Sequence, residues 1–345
     1  MPAIVETRDL TRRFGSNLAL DHLNLKIPEG AIFGFIGPNG AGKTTTMRIL
    51  TTLLQPSGGE AHVAGISVAK DPRGVRRVVG FMPDFFGVYE NMKSWEYLDF
   101  FGRAYGVPLE RRAGLIGELL GLVDLGHKRD DLVMNLSRGM KQRLSLARTM
   151  MHDPRLLILD EPASGLDPRA RIELRELLKE LRALGKTIMI SSHILTELAE
   201  MCTHIAIIER GKLLASGDVQ DILRTLQPHR SLEVRVLGEP ERAEGLLRGF
   251  PGVLGVQRGD GPAAERDGAE GDQALELPLT TEGERVVAED VGGVSHTLLV
   301  DYGGDERGMA ELLAALVREG VPVTRFAEQA GDLEDIFLHV TKGIV

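Results

Sequence analysis

Cysteine is almost missing from this chain of 345 residues. Cys202 is the single one, which excludes an internal disulfide framework and any CxxC metal site. One thiol suits a reducing cytosol. Basic charge is also in deficit. The formal net charge of −9 leaves no broad cationic field, so nucleic acid is not an expected partner. The pairs Arg76-Arg77, Arg111-Arg112 and Lys128-Arg129 read as local solvated surface rather than a groove. Long apolar runs are absent as well. Nothing approaches the roughly 18 consecutive apolar residues of a membrane span. The opening MPAIVETRDLTRR lacks the apolar stretch of a secretory signal, so no such leader is expected. No solenoid period is present, and apart from His193 the histidines show no metal-ligand spacing. What the length does allow is two or three domains with ample core.

Glycine, by contrast, is abundant, and one glycine-rich stretch organises the chain. Gly37-Pro38-Asn39-Gly40-Ala41-Gly42-Lys43-Thr44-Thr45 directly follows the apolar run 31–36 and precedes a helix expected over about 42–54. The spacing fits GxxxxGK followed by Ser or Thr. Glycines let successive backbone N–H groups turn inward around phosphate oxygens, and the helix adds its positive N-terminal end. Lys43 can reach the β and γ phosphates, while Thr44 can offer its hydroxyl to Mg²⁺. The bland alternative is a glycine-rich turn that happens to hold a lysine. Strand before and helix after favour a nucleotide phosphate site.

Around this loop the pattern is that of an α/β core. Strands are expected over 3–10 and 18–27 with a turn at Gly15, where Phe14 is either a core or hairpin aromatic or a surface for a nucleotide base. Pro56-Ser57-Gly58-Gly59 closes the first helix, and short strands follow around Gly65 and at Val78-Val79. Residues 85–135 change character, with helices over 94–101 and 109–125. Trp95, Tyr97, Phe100 and Phe101 read first as packing residues, and the helical region also offers a face to a partner. Ser137 is a candidate N-cap for a helix from Arg138 to about Met151, ended by Asp153-Pro154.

The next segments carry the acids. Leu156 to Leu159 reads as a buried parallel strand that delivers Asp160 and Glu161 at its C-terminal edge. A helix over about 169–184 precedes a second buried strand, 187–190, which delivers Ser191, Ser192 and His193. A helix over 194–201, a hairpin around Arg210-Gly211 and a helix over 218–227 complete a first domain, 1–225, with a helical insertion over about 85–153. From Pro228 the pattern restarts as a second domain, 226–345. Strands are expected over 232–236, 253–256, 275–279, 297–300 and 321–326, with helices over 240–249, 305–319 and 331–340. The glycine- and acid-rich stretch 258–274 reads as a mobile loop. A β-α-β-β-α-β order makes this domain a ferredoxin-like α+β unit.

Asp160 stands where a phosphate-loop site needs an acid to hold Mg²⁺ or its waters. Glu161 is suited to orient or deprotonate an attacking water, which calls for a carboxylate near the γ phosphate. His193 is either a capping, hydrogen-bonded structural residue or a contact to that phosphate.

Taken together, residues 4–220 resemble the nucleotide-binding subunit of ABC transporters. Gly37 to Thr45 match the Walker A motif and Leu156 to Glu161 match Walker B. Leu136-Ser137-Arg138-Gly139-Met140 matches the signature usually written LSGGQ, Ser164-Gly165-Leu166-Asp167 the D-loop, and His193 the switch histidine. The resemblance implies the P-loop NTPase core of the ABC type, with antiparallel and helical subdomains. It implies Mg²⁺-dependent ATP hydrolysis by two subunits stacked head to tail, in the simplest case a homodimer. Ser137, Arg138 and Gly139 of one subunit would then face the phosphate loop of the other. It also implies that Asp167 couples the two sites and that Phe14 stacks on adenine. Two positions depart from the family. Arg138 and Met140 replace a glycine and a glutamine, and Asp84 stands at the Q-loop glutamine, where it would meet the metal directly or through a bound water.

The wording SRGMKQR, MPDFFGVYENM and the ending 332–338 resemble ATPases that serve ABC-2-type exporters of drugs, antibiotics, lipids or polysaccharides. That resemblance implies a separately encoded permease docked near residues 85–101 and a peripheral place on the cytoplasmic side of the membrane. A soluble ABC ATPase acting on DNA or ribosomes is disfavoured by the single ATPase domain and the acidic charge. An importer subunit with a regulatory C-terminal domain is disfavoured by the MPDFF and LEDIF regions.

Overall fold

The computed structural model describes residues 2–84, 87, 89, 91–194, 198, 201–226, 230–238, 240–259 and 295–329. These form two compact units, one up to Thr225 and one from Leu226 onward.

In the first unit the chain runs β1 (Ala3–Phe14), β2 (Asn17–Leu23), β3 (Lys26–Pro28), β4 (Ile32–Ile36), α1 (Lys43–Leu50), β5 (Gly58–Val63), β6 (Ile66–Ser67), α2 (Pro72–Val78) and β7 (Val79–Met82). It continues through α3 (Ser94–Ala104), α4 (Leu109–Leu122), α5 (Arg138–Met150), β8 (Leu156–Leu159), α6 (Pro168–Ala183), β9 (Thr187–Ser192), β10 (His204–Glu209), β11 (Lys212–Asp218) and α7 (Val219–Leu226). One antiparallel sheet is ordered β2-β1-β5-β6, with β3 also paired to β1. The other sheet is ordered β11-β10-β4-β9-β8-β7. Its pairs are parallel from β10 to β7, and only the edge strand β11 is antiparallel.

Burial explains this architecture. Every residue of β4, β8 and β9 is buried, as expected for parallel strands covered on both faces. Phe33, Phe35, Ile158 and Met189 from this sheet share one core with Leu10, Ile27 and Val63 of the antiparallel sheet. Helix α6 covers its share with Leu174, Leu177, Leu178 and Leu181, a stripe at helical spacing. Its start is set by Asp167, whose carboxylate accepts from Ala170 N at 2.8 Å, and by Pro168 in the first turn. Ser137 likewise caps α5 by accepting from Met140 N at 3.3 Å.

Three local expectations need correction. Val78 does not begin a strand. It ends α2, which Asp71 caps by accepting from Gly74 N at 2.8 Å with Pro72 at the first position. The strand expected over 18–27 is two strands, because Thr7 Oγ1 donates to Leu23 O and accepts from Leu25 N at the break. The first helix stops at Leu50 rather than near 54. Thr51 there bonds back to Met47 O, and Thr52 turns to φ +62°. Of the four insertion aromatics Tyr97 is buried, Trp95 and Phe101 are half-buried, and Phe100 is exposed. Among the described residues no helix is long and apolar enough to cross a membrane.

The second unit runs β12 (Arg230–Leu237), α8 (Pro240–Arg248), β13 (Val253–Arg258), β14 (Ser295–Tyr302), α9 (Glu306–Arg318) and β15 (Val323–Gln329). All pairs are antiparallel, in the order β13-β14-β12-β15. This is the interleaved order of a ferredoxin-like fold. Leu232, Val234, Val236, Leu298 and Val300 alternate toward Leu247, Leu312 and Leu316 of the two helices. Most of the stretch 258–274, the strand expected over 275–279 and the helix over 331–340 lie outside the described residues, as does most of the helix over 194–201.

Ile158 is fully buried at the centre of β8. Ile158→Ala should lower unfolding free energy by about 2–5 kcal/mol in denaturant titration, and a loss near zero would contradict its place in the core.

Candidate active site

Four neighbouring parallel strands end on one edge of the sheet. β4 leads into Gly37, β9 into His193, β8 into Asp160 and β7 into Pro83 and Asp84. Clefts beyond the C-terminal ends of parallel strands are where such sheets present ligand sites. Here the glycine-rich loop, Asp84 and Glu161 line a cavity of about 190 Å³.

The loop is shaped by contacts that only glycine permits. A Cβ on Gly37 would lie 2.3 Å from Ile208 O. Gly42 sits at φ +111°, where a Cβ would also press on Leu20 and Ala19. Helix α1 begins at the next residue with no side-chain cap and no acidic residue in its first turn. Its leading N–H groups and dipole therefore favour an anion, and the cavity lies at that end.

Lys43 is 6% exposed, yet its ammonium is well partnered. Nζ donates to Gly37 O at 2.6 Å and Pro38 O at 3.4 Å, and lies 3.5 Å from Glu161 Oε1. The other Glu161 oxygen meets His193 Nδ1 at 3.0 Å. That contact favours the tautomer with its proton on Nδ1, so only the imidazolium could donate from both ring nitrogens. Glu161 has φ +49°, a left-handed conformation uncommon outside glycine. Its N–H donates to Ser191 Oγ at 2.8 Å, and the Ser191 hydroxyl donates to Asp160 Oδ1 at 2.7 Å. One buried serine thus sets both acids.

Ser191 is the residue that sequence reasoning passed over. The signal was present: a serine hydroxyl at the buried end of a parallel strand, where the acids of the next strand emerge, must find a partner. Asp84 stands exposed at the cavity's edge. Partial burial of its carboxyl, then the charges of Asp160 and Glu161, hold its pKa above the ordinary aspartate range, and Arg138 opposes them. Thr44 is half-buried beside Lys43. Phe14 is 44% exposed in the β1–β2 hairpin, which removes its core reading, and the Arg12 guanidinium lies 4.4 Å from its ring centre.

Ser137, Arg138, Gly139 and Asp167 are not in this cavity. They line a separate depression of about 430 Å³ with Gly165 and Leu166, where the starts of α5 and α6 meet. The phosphate-site and signature residues therefore fall into two groups within one chain, and Phe14 lines neither cavity.

Comparison with known proteins places the whole chain. A family model described as ABC transporter matches residues 20–164. The bacitracin transport ATP-binding protein BcrA of Bacillus licheniformis is 42% identical over 215 residues, covering 62% of this chain and 69% of that protein. The daunorubicin resistance ATP-binding protein DrrA2 of Streptomyces coeruleorubidus is 34% identical over 337 residues, covering 98% and 94%. A solved ATP-binding subunit of an ABC transporter superposes with a TM-score of 0.59 at 30% identity, covering 64% of this chain and 92% of that one. The fold and site define an ATP-binding, ATP-hydrolysing protein. The chain belongs to the ATP-binding proteins of the ABC transporter family.

Ser191→Ala strands the Glu161 N–H and one Asp160 oxygen in a buried place. Maximal ATP turnover should fall about tenfold as the two acids lose their shared link, and the unsatisfied buried groups should cost roughly 1–3 kcal/mol of stability. Turnover within twofold of the parent would contradict its positioning role.

Proposed function

We propose that two copies of this chain close around ATP and Mg²⁺ and drive export through a separately encoded ABC-2-type permease. The observation that carries the reading is the split between the two residue groups. The phosphate loop, Lys43 and Glu161 form one cavity, and Ser137, Arg138, Gly139 and Asp167 form another, so each is half of a site completed by a second copy. Across that interface α5 would turn its positive end and the Ser137 hydroxyl toward the γ phosphate.

Within one cavity, Lys43 balances charge on the β and γ phosphates and Glu161 orients and deprotonates the attacking water. His193, held by Glu161, contacts the γ phosphate, and Phe14, outside the cavity lining, offers the base the ring face that Arg12 does not cover. Among the described residues no cluster of three or more His, Cys, Asp or Glu side chains could hold a metal alone. The donors fit Mg²⁺ nonetheless, because that ion takes one or two protein oxygens and fills its shell with phosphate and water. Thr44 and Asp160 would hold it, with Asp84 at its edge. Bound Mg²⁺ supplies charge neutralisation at the phosphates.

Export is supported by the relatives, whose names state bacitracin transport and daunorubicin resistance. The permease would dock beside α3, at a groove of about 640 Å³ lined by Leu53, Phe81 and Phe101 with Arg48, Arg76 and Arg148 at its polar positions. Residues 85, 86, 88 and 90 of the docking stretch lie outside the described residues. The chain then sits on the cytoplasmic face of the membrane through its partner.

Two outcomes are expected. Glu161→Gln should keep ATP binding, lose at least about a hundredfold in turnover, and accumulate as an ATP-bound dimer. Near-normal turnover would remove Glu161 from catalysis. Purification from membranes should bring down a multi-span permease, and Arg48→Glu should weaken its recovery at unchanged ATP turnover of the free protein. Exclusive recovery with ribosomes or DNA would reject the transport reading.

A further inference from the structure

Arg138 occupies an electrostatically poor position. It is the first residue of α5, where the helix end is positive and an arginine is repelled rather than held. A side chain that breaks a local rule needs a compensating contact, and Arg138 has two. Its Nη2 donates to Ser164 O at 3.2 Å. Its guanidinium also fills the space that a side chain at position 165 would take, since a Cβ built on Gly165 would lie 2.5 Å from Arg138 Cζ. Gly165 has φ +69°, so a bare backbone there serves both the turn and the arginine.

The receiving turn is itself well ordered. Ser164 N donates to Glu161 O at 3.1 Å, Leu166 N donates to Ala163 O at 3.2 Å, and Asp167 caps α6. Beside the arginine, Gly139 lies against Leu166 and Ala170 at distances that leave ordinary van der Waals contact for a Cβ. Between them these contacts bind the start of α5 to the turn that begins at Glu161.

We propose that Arg138 is a positioning residue that clamps the Ser137–Gly139 loop to the Ser164–Asp167 turn within one chain. The two segments then reach the second copy's ATP cavity as a single rigid block. The proposal rests on the two-copy reading given above. It assigns the arginine to its own chain's backbone rather than to phosphate. The planar guanidinium lying over Gly165 is the reason that lysine cannot replace it.

The test measures ATP-driven dimerisation in the Glu161→Gln background and turnover in the parent. Arg138→Gly should weaken the ATP dimer about tenfold and lower kcat about fivefold, while binding of a fluorescent ATP analogue to the single chain stays within twofold. Arg138→Lys should behave like Arg138→Gly, whereas full rescue by lysine would overturn the clamp in favour of a charge on phosphate. A Glu161→Gln dimer unaffected by Arg138→Gly overturns the clamp alone. Glu161→Gln that stays monomeric with saturating MgATP overturns the two-copy reading and the clamp with it.

Discussion

A buried ammonium is costly unless fixed acceptors surround it, and Lys43 places that demand on the whole first unit. Its nitrogen needs Gly37 O and Pro38 O from one loop and Glu161 from another. Those loops leave β4 and β8, which are separated by β9, so the acceptors converge only if the three strands are held in register. Parallel pairing supplies that register: Ile36 is matched to Ser192 and Leu159 to Ile190, so β8 stops short of the Ser192 level and the next residues, Asp160 and Glu161, carry on beside Ser191 and Ser192. Ser191 then lies between the strands as the hydrogen-bonded link that holds Asp160 and Glu161. The chemistry of the site is in this sense a property of strand register, and the buried faces of β4, β8 and β9 hold that register.

The same sheet explains what was legible from residues alone. Short apolar runs closed by glycine or acid mark the ends of β4 and β8, because buried parallel strands carry an almost continuous apolar signal, whereas β9, expected over 187–190, runs on to Ser192. Helix starts were readable where a cap was present, as at Ser137. Asp71-Pro72 carried an equally good cap and was passed over, since the seven-residue α2 has only Val75 buried and shows no apolar stripe. Ser191 was visible as a residue and invisible as a link, because its two partners are about thirty positions away. The two-sheet pairing of β1 and the order β13-β14-β12-β15 depend on contacts between distant segments, which local pattern does not encode. The element order of the second unit could still be read from alternation.

The departures from the family motif are best understood through their neighbours. Arg138 looks unfavourable along the helix and reasonable across the turn, where Ser164 and Gly165 receive it. Asp84 gathers near Asp160 and Glu161, so negative charge is concentrated at the mouth of the cavity opposite the positive end of α1. Such a mouth favours an arriving anion when a cation accompanies it, in keeping with the donor set proposed for Mg²⁺.

The central claim is that one ATP site is built from two chains, and mixing two inactive variants tests it most directly. Lys43→Ala removes the phosphate-loop half, and Ser137→Arg blocks the signature half. If the halves come from different chains, a mixed dimer regains one intact site, and an equimolar mixture should reach up to about a quarter of parental ATP turnover in a symmetric dimer. A mixture no more active than the two variants measured separately would contradict the account.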